Sequence, residues 1–297
     1  MSENSQSTLL VTGASGQLGR RVLELLLEAG VGPIIATTRS PEKLSGFAAR
    51  GVTVRAADFD DADHLPAAFA GAERLLLISA EDAVTPGRRL RQHQNAVMAA
   101  QTAGVSHVVY TGIVNPTPES PVGVVPDHAG TEAALAESTM GWTIIRENIY
   151  ADMLPNTLAR AMQMGQLFSA AGDGRTAYVT REDCARASAA ALASSFTGKR
   201  TLDITGPEAL SQADLAALVT SLSGKPVAYV PLPLSVLVDN MVAAGLPQPV
   251  AELFASFDTG IAQGYFETVS PAFEELTGRK PGSAADFLAA HREALMA

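Results

Sequence analysis

The chain has 297 residues, 47% hydrophobic and 18% charged, with 25 glycines and 17 prolines. That composition suits one large domain or a main domain with a smaller lobe, and excludes a disordered, collagen-like or coiled-coil chain. Thirty-one acidic against 21 basic side chains leave a formal charge of −10, which repels phosphate polyanions overall and argues against a nucleic-acid partner.

Cys184 is the single cysteine; it can form no internal disulfide and offers no thiolate cluster to a metal, which suits a reducing compartment. Met1–Thr8 is polar and fails as a secretion signal. Val227–Val238 is interrupted by Pro231 and Pro233 and is too short to cross a bilayer. The expectation is a cytoplasmic protein with no membrane partner.

Along the first 150 residues, short β-branched or leucine-rich runs alternate with longer amphipathic stretches, the pattern of parallel strands joined by crossover helices. The spacing predicts strands at Leu9–Thr12, Pro33–Thr38, Val52–Arg55, Arg74–Ser79, Val105–Thr111 and Trp142–Arg146. Helices are expected at Gln17–Glu28, Pro41–Ala49, Ala62–Phe69, Arg88–Ala103 and Asp127–Ser138, the second opened by Ser40 and Pro41. After Arg146 come an irregular stretch from Asn148, a glycine-rich turn at Ala171–Gly174 and a strand-like Tyr178–Thr180. Thr180 with Asp183, Ser211 with Asp214 and Ser283 with Asp286 each place a cap oxygen three residues before a carboxylate and predict three more helices. Thr201–Thr205 reads as a strand returning to the sheet.

Thr12-Gly13-Ala14-Ser15-Gly16-Gln17-Leu18-Gly19 lies between the first strand and the first helix, where a dinucleotide-binding turn belongs. Gly13 permits the tight turn, Gly16 lets backbone approach a pyrophosphate, and Gly19 packs helix on strand. Free helix N–H groups and the positive helix end then face the phosphates, and Ser15, Gln17 and Leu18 of this turn are expected to bind the cofactor with the glycines. The expected fold is α/β, a Rossmann-like doubly wound parallel sheet with a smaller, mostly helical C-terminal substrate lobe. The nucleotide domain covers residues 1–150, with 186–206 returning to it, and the lobe comprises 151–185 and 207–297.

Arg39 ends the second strand, where an enzyme for NAD carries a carboxylate for the ribose 2′-hydroxyl. With Thr38 and Ser40 beside it and Lys43 one turn on, it suits a 2′-phosphate, hence NADP; the alternative is a solvated surface pair. Asp58 and Phe59 follow the third strand at the adenine position, though Asp58 could equally cap the next helix. Short-chain dehydrogenases on this sheet use Tyr-x-x-x-Lys as proton donor. Here Tyr110, Tyr150, Tyr178, Tyr229 and Tyr265 are followed four residues on by Val114, Leu154, Glu182, Pro233 and Val269, so the pair is absent. General acid help is worth roughly 10²- to 10⁴-fold, and its loss matters least for a quinone, whose reduction restores aromaticity.

Thr12–Gly19, Leu75–Ser79, His93–Ala96 through Ala103–Val105, and His128 with Thr131 and Glu132 together resemble the NmrA-like atypical short-chain dehydrogenases, in particular the bacterial NADPH:quinone oxidoreductase and triphenylmethane reductase branch. The likeness runs through Ala171–Gly174 to nearly the end of the chain. It implies NADPH held at Gly13, Gly16, Gly19 and Arg39, direct hydride transfer without flavin, and a cleft between the two lobes. It also implies that Ser79, Thr111, Gly112 and Asn148 lie along the cofactor.

Within that resemblance, His128 occupies the region of a catalytic lysine in related ether reductases, and either relays a proton or is a helix-start histidine bonding backbone. Tyr150 either engages a ring substrate or simply lines the site. His64, His93, His107 and His291 show no ligand spacing, so no metal is expected. The expected activity is NADPH-dependent reduction of a quinone or similar small aromatic or conjugated acceptor. The alternatives are an NADP-binding redox sensor without turnover, or a reductase of an enone, imine or dye. A homodimer is compatible with the family.

Overall fold

The computed structural model describes residues 7–296; residues 1–6 of the polar stretch Met1–Thr8, and residue 297, lie outside the described residues. β1 (Leu9–Val11) leads into α1 (Gln17–Glu28), β2 (Ile34–Thr38), a 3-10 turn (Pro41–Leu44), α2 (Ser45–Ala48) and β3 (Thr53–Ala56). α3 (Leu65–Phe69), β4 (Arg74–Leu77), α4 (Arg88–Thr102), β5 (His107–Ile113), α5 (Val125–Glu137) and β6 (Gly141–Glu147) continue the alternation. Then come α6 (Leu154–Met164), β7 (Gln166–Ser169), β8 (Arg175–Thr176), α7 (Arg181–Ala193), β9 (Lys199–Ile204), β10 (Leu210–Ser211), α8 (Gln212–Ser223) and β11 (Ala228–Pro231). The chain closes with α9 (Leu234–Ala243), α10 (Gln248–Ala262), α11 (Ala272–Thr277), α12 (Ala284–Ala290) and α13 (Arg292–Met296).

Seven strands form one sheet in the order β3-β2-β1-β4-β5-β6-β9, and the pairings from β3 across to β5 are parallel. β1, β2, β4 and β5 are buried along their whole length, which is why they read as mainly β-branched or leucine-rich runs without the alternation of a half-exposed strand. Strand order reverses between β1 and β4, and such a switch point opens a crevice at the carboxyl ends of the strands. Leu10, Ile35, Leu75, Leu77 and Val108 of the sheet pack with Phe69 of α3, Ala96 and Ala100 of α4 and Leu135 of α5.

Two compact units partition the chain. One holds the residues up to Gly112 with Asp127–Arg146 and Cys184–Leu202; the other holds Ile113–Pro126, Glu147–Asp183 and the residues from Asp203 onward. The second unit has its own core of Leu154, Leu158, Leu167, Tyr178, Leu215 and Leu288. Its parallel pair β7–β11 joins Leu167 to Tyr229.

Three local readings change. Pro41–Ala49 is not one helix but a 3-10 turn followed by the four-residue α2: the Lys43 and Ser45 N–H groups reach back three residues, to the Ser40 and Glu42 carbonyls, the bonding of a 3-10 turn. Tyr178–Thr180 contributes only an isolated bridge between Val179 and Tyr150. The cap of α3 is His64, not Asp58; the Asp58 carboxylate instead accepts from the Asp60 N–H, 3.0 Å away, in a local turn. The three predicted caps form, Ser211 and Asp214 making both halves of a capping box. Among the described residues no helix is long and apolar enough to cross a membrane.

Candidate functional site

The glycine turn closes where β1 meets α1. Gly13 sits at φ +57°, and its carbonyl accepts from the Gly16 N–H at 2.9 Å. A Cβ on Gly19 would stand 2.6 Å from the Gly13 oxygen and 2.8 Å from Ala14 Cα, and one on Gly16 would stand 3.2 Å from that oxygen. The backbone therefore occupies the space a side chain would need. Gly16 also caps α1, no side chain bonds to that cap, and the first turn of α1 carries no acidic residue. Its N–H groups and helix-end charge are thus open to an anion, and a diphosphate fits this cradle. Of the turn's other residues, Ser15 is half-buried, Gln17 exposed and Leu18 buried.

Beside the turn, Ser15 Oγ and Thr38 Oγ1 share a hydrogen bond of 2.7 Å, and Thr38 Oγ1 accepts from the Ser40 N–H at 3.1 Å. Arg39 and Lys43 are exposed. Arg20, in α1, was not singled out in the sequence: its Nε donates to the Ser15 carbonyl at 3.1 Å and its Nη2 to the Lys43 carbonyl at 2.6 Å. It spans 23 residues and joins the glycine turn to the 3-10 turn after β2, a contact with no local sequence signal.

Across the switch point, three consecutive N–H groups leaving β4 are taken by side chains of three different elements. Ile78 N–H donates to Thr12 Oγ1 (3.0 Å), Ser79 N–H to Thr111 Oγ1 (2.9 Å), and Ala80 N–H to His93 Nε2 (2.8 Å). Thr12 follows the last residue of β1, Thr111 lies within β5, and His93 is buried in α4. Because a backbone N–H occupies Nε2, the His93 proton is on Nδ1 and points to Thr131 Oγ1 at 2.8 Å. Gly112 has ordinary space around it: a Cβ there would make contacts at 3.5 Å.

His128 is 4% exposed and bonds two side chains, not the backbone that its place near a helix start suggested. An Arg89 Nη2 donates to Nε2 at 3.1 Å, so Nδ1 carries the proton and donates to the Tyr110 hydroxyl at 2.8 Å. Burial, helped by Arg89 and His93, holds its pKa well below the ordinary range, so the ring is uncharged at neutral pH. Burial likewise pushes the Tyr110 phenol up.

In the second unit, both ends of the Asn148 side chain are held by backbone: Nδ2 donates to the Phe266 carbonyl at 3.0 Å and Oδ1 accepts from the Ile149 N–H at 2.8 Å. The Tyr150 hydroxyl donates to Glu147, and the Arg181 guanidinium lies 5.2 Å from its ring centroid. Arg181 also pairs with Asp152 at 2.7 Å. Asn115, Gln263 and Tyr265 line an open polar recess of about 410 Å³. Asn115 adopts φ +48° and donates to the Tyr265 carbonyl at 2.6 Å. Asp58 is exposed and Phe59 half-buried after β3; the Phe59 carbonyl accepts from Asn95 at 2.9 Å. Among the described residues no group of His, Cys, Asp and Glu side chains could hold a metal ion.

Comparison with known proteins places this geometry. A family profile described as NAD(P)H-binding matches residues 13–195. Quinone oxidoreductase 2 of Escherichia coli is 35% identical over 271 residues, 91% of this chain and 93% of that protein. The crystal structure of the E. coli NADPH-dependent quinone oxidoreductase complexed with NADPH superposes with a TM-score of 0.90, covering 96% of this chain and 99% of that one. An NmrA-like family domain-containing oxidoreductase of Aspergillus flavus is 30% identical over 92% of this chain and 91% of that protein. Triphenylmethane reductase of Citrobacter sp. has a TM-score of 0.88 at 31% identity, over 98% of this chain and 100% of that one.

Proposed function

This chain belongs to the NAD(P)H-binding, NmrA-like family of oxidoreductases, and we propose on that premise that it uses NADPH to reduce quinones or similarly electron-poor conjugated acceptors. The observation that carries the reading is the glycine turn, in which a Cβ at Gly19 would fall 2.6 Å from the Gly13 oxygen. Backbone that close, with an uncapped helix end behind it, suits a diphosphate.

In this reading the 13–19 turn holds the diphosphate and Arg39 and Lys43 hold the 2′-phosphate. Asp58 and Phe59 border the adenine, and Ser79, Thr111, Gly112 and Asn148 lie toward the nicotinamide. When bound, the reduced nicotinamide supplies a hydride equivalent to the acceptor. Thr12, Thr111 and His93 keep the Ile78–Ala80 backbone in one place by taking its N–H groups, so their contribution is orientation. His128, uncharged and bonded at both ring nitrogens, acts here as a positioning residue that holds Tyr110, and the proton comes from water. Tyr150, with its phenol directed to Glu147, offers the acceptor a ring face.

The missing Tyr-x-x-x-Lys pair supports the acceptor class. A quinone takes two electrons together and leaves an anion far more stable than an alkoxide, so its chemistry requires neither a strong general acid nor an intermediate flavin or metal. Mixing the purified protein with NADPH and a panel of small quinones should oxidise NADPH well above the uncatalysed rate. Tight NADPH binding with only the background rate would overturn the reductase reading in favour of a sensor.

A further inference from the structure

We propose that Arg20 is a positioning residue that sets the preference for a 2′-phosphorylated nucleotide. The inference rests on the NADP reading above and adds a residue to it. Arg21, Arg50, Arg88, Arg146, Arg175 and Arg181 each meet a carboxylate within 3.1 Å. Among the described residues Arg20, Arg39 and Lys43 meet none, and neither do Arg55, Arg74 and Arg200, which donate to carbonyls or a hydroxyl; the first three, however, belong to the glycine-turn helix and the turn after β2. Three cations without an acidic partner flank one cluster of hydroxyls, Ser15, Thr38 and Ser40. A polyanion is the ligand that such a cluster recognises.

Arg20 differs from the other two cations because its guanidinium is already anchored. Nε and Nη2 reach the Ser15 and Lys43 carbonyls at 3.1 and 2.6 Å, and the guanidinium carbon lies 5.9 Å from the Phe47 ring centroid. The rigid fork of arginine can span two carbonyls in this way, whereas a lysine ammonium is a point charge on a flexible stem. Arg20 therefore fixes where the Lys43 side chain begins relative to the glycine turn. The diphosphate is common to NADPH and NADH, and only NADPH adds a further charge of about −1.5 to −2 beside the ribose, as a phosphate monoester does near neutral pH. Loosening the Lys43 backbone should thus weaken NADPH selectively.

The test is the dissociation constant for NADPH and for NADH, measured by nucleotide fluorescence on wild type, Arg20→Ala and Arg20→Lys, with thermal melting as a check on folding. Arg20→Ala should weaken NADPH about tenfold and NADH less than about twofold. Arg20→Lys restores the charge but cannot span both carbonyls, and should recover only part of the loss. A wild type that discriminates, with an Arg20→Ala variant that loses both nucleotides equally, would overturn the assignment while leaving the NADP reading intact. Full recovery in Arg20→Lys would also overturn it, in favour of charge alone. A wild type that binds NADPH no tighter than NADH would remove the NADP reading itself, and the inference with it.

Discussion

Burial pushes the His93 and His107 imidazoles down to about 3 and about 4, with the Arg89 guanidinium adding to the first and Arg74 and Arg200 to the second. In the unfolded chain both return to about 6.5. As pH falls below that value the unfolded state takes up protons first, so the stability these rings contribute is complete above about pH 6.5 and is lost toward the folded values. Each contributes a slope of about 1.4 kcal/mol per pH unit inside that window. Exposed His64, raised by its hydrogen bond to Asp61, acts in the opposite sense. Urea unfolding should therefore give a stability at pH 5 at least about 2 kcal/mol below that at pH 7; equal values would contradict the buried, neutral histidines.

Residues at this scale were unevenly legible. Gly13, Gly16 and Gly19 were visible because a tight turn and close packing demand glycine at set spacings. The sequence shows His93 only as a histidine without metal-ligand spacing inside a family segment; its positioning role is not legible, since its partners Ala80 and Thr131 lie 13 and 38 residues away and no local pattern joins them. Arg20 escaped for the same reason.

Among the elements, the junction of β1 and α1 makes the sharpest demand. Gly19→Ala places a methyl 2.6 Å from the Gly13 oxygen, a backbone atom held in the turn by its own hydrogen bond to the Gly16 N–H. The turn must open, and NADPH affinity should fall more than about tenfold in a variant whose far-ultraviolet circular dichroism stays that of the parent; unchanged affinity would remove the turn from the site. A second junction fixes the end of α7. Buried Arg74, at the start of β4, donates to the carbonyls of Leu192, Ala191 and Phe196 at 2.7, 3.1 and 2.9 Å. Arg74→Leu strands those acceptors and should cost about 3 kcal/mol in denaturant unfolding; a loss below about 0.5 kcal/mol would show that water replaces the guanidinium. The β–α alternation was readable because fully buried strands and amphipathic helices differ in period. The pairs β7–β11 and β8–β10 were not: they have four and two residues per strand, too few for any period to register.

On the scale of the whole molecule, a net negative protein binds an anionic nucleotide because charge is local. The end of α1, where no side chain bonds to the cap, and Arg39, which meets no carboxylate among the described residues, both follow the carboxyl ends of the β1–β2 pair, and over short distances their field outweighs a diffuse −10. The sheet order, with its reversal between β1 and β4, is what sets the glycine turn and the Ile78–Ala80 exit at the same crevice. The doubly wound parallel sheet is legible in the strand–helix alternation and the placement of one motif, whereas the order of its strands is not. Nor is the identity of the acceptor, because it depends on side chains from separated segments such as Asn115 and Tyr265, whose positions are set only by folding.

Titration calorimetry with NADPH and NADH on the wild type and on Arg39→Asp tests this most directly. The wild type should bind one NADPH per chain and NADH more weakly, and the variant should lose affinity for NADPH while keeping or improving that for NADH. No heat with either nucleotide, or equal losses for both in the variant, would contradict a phosphate grip built from the opening turn and Arg39.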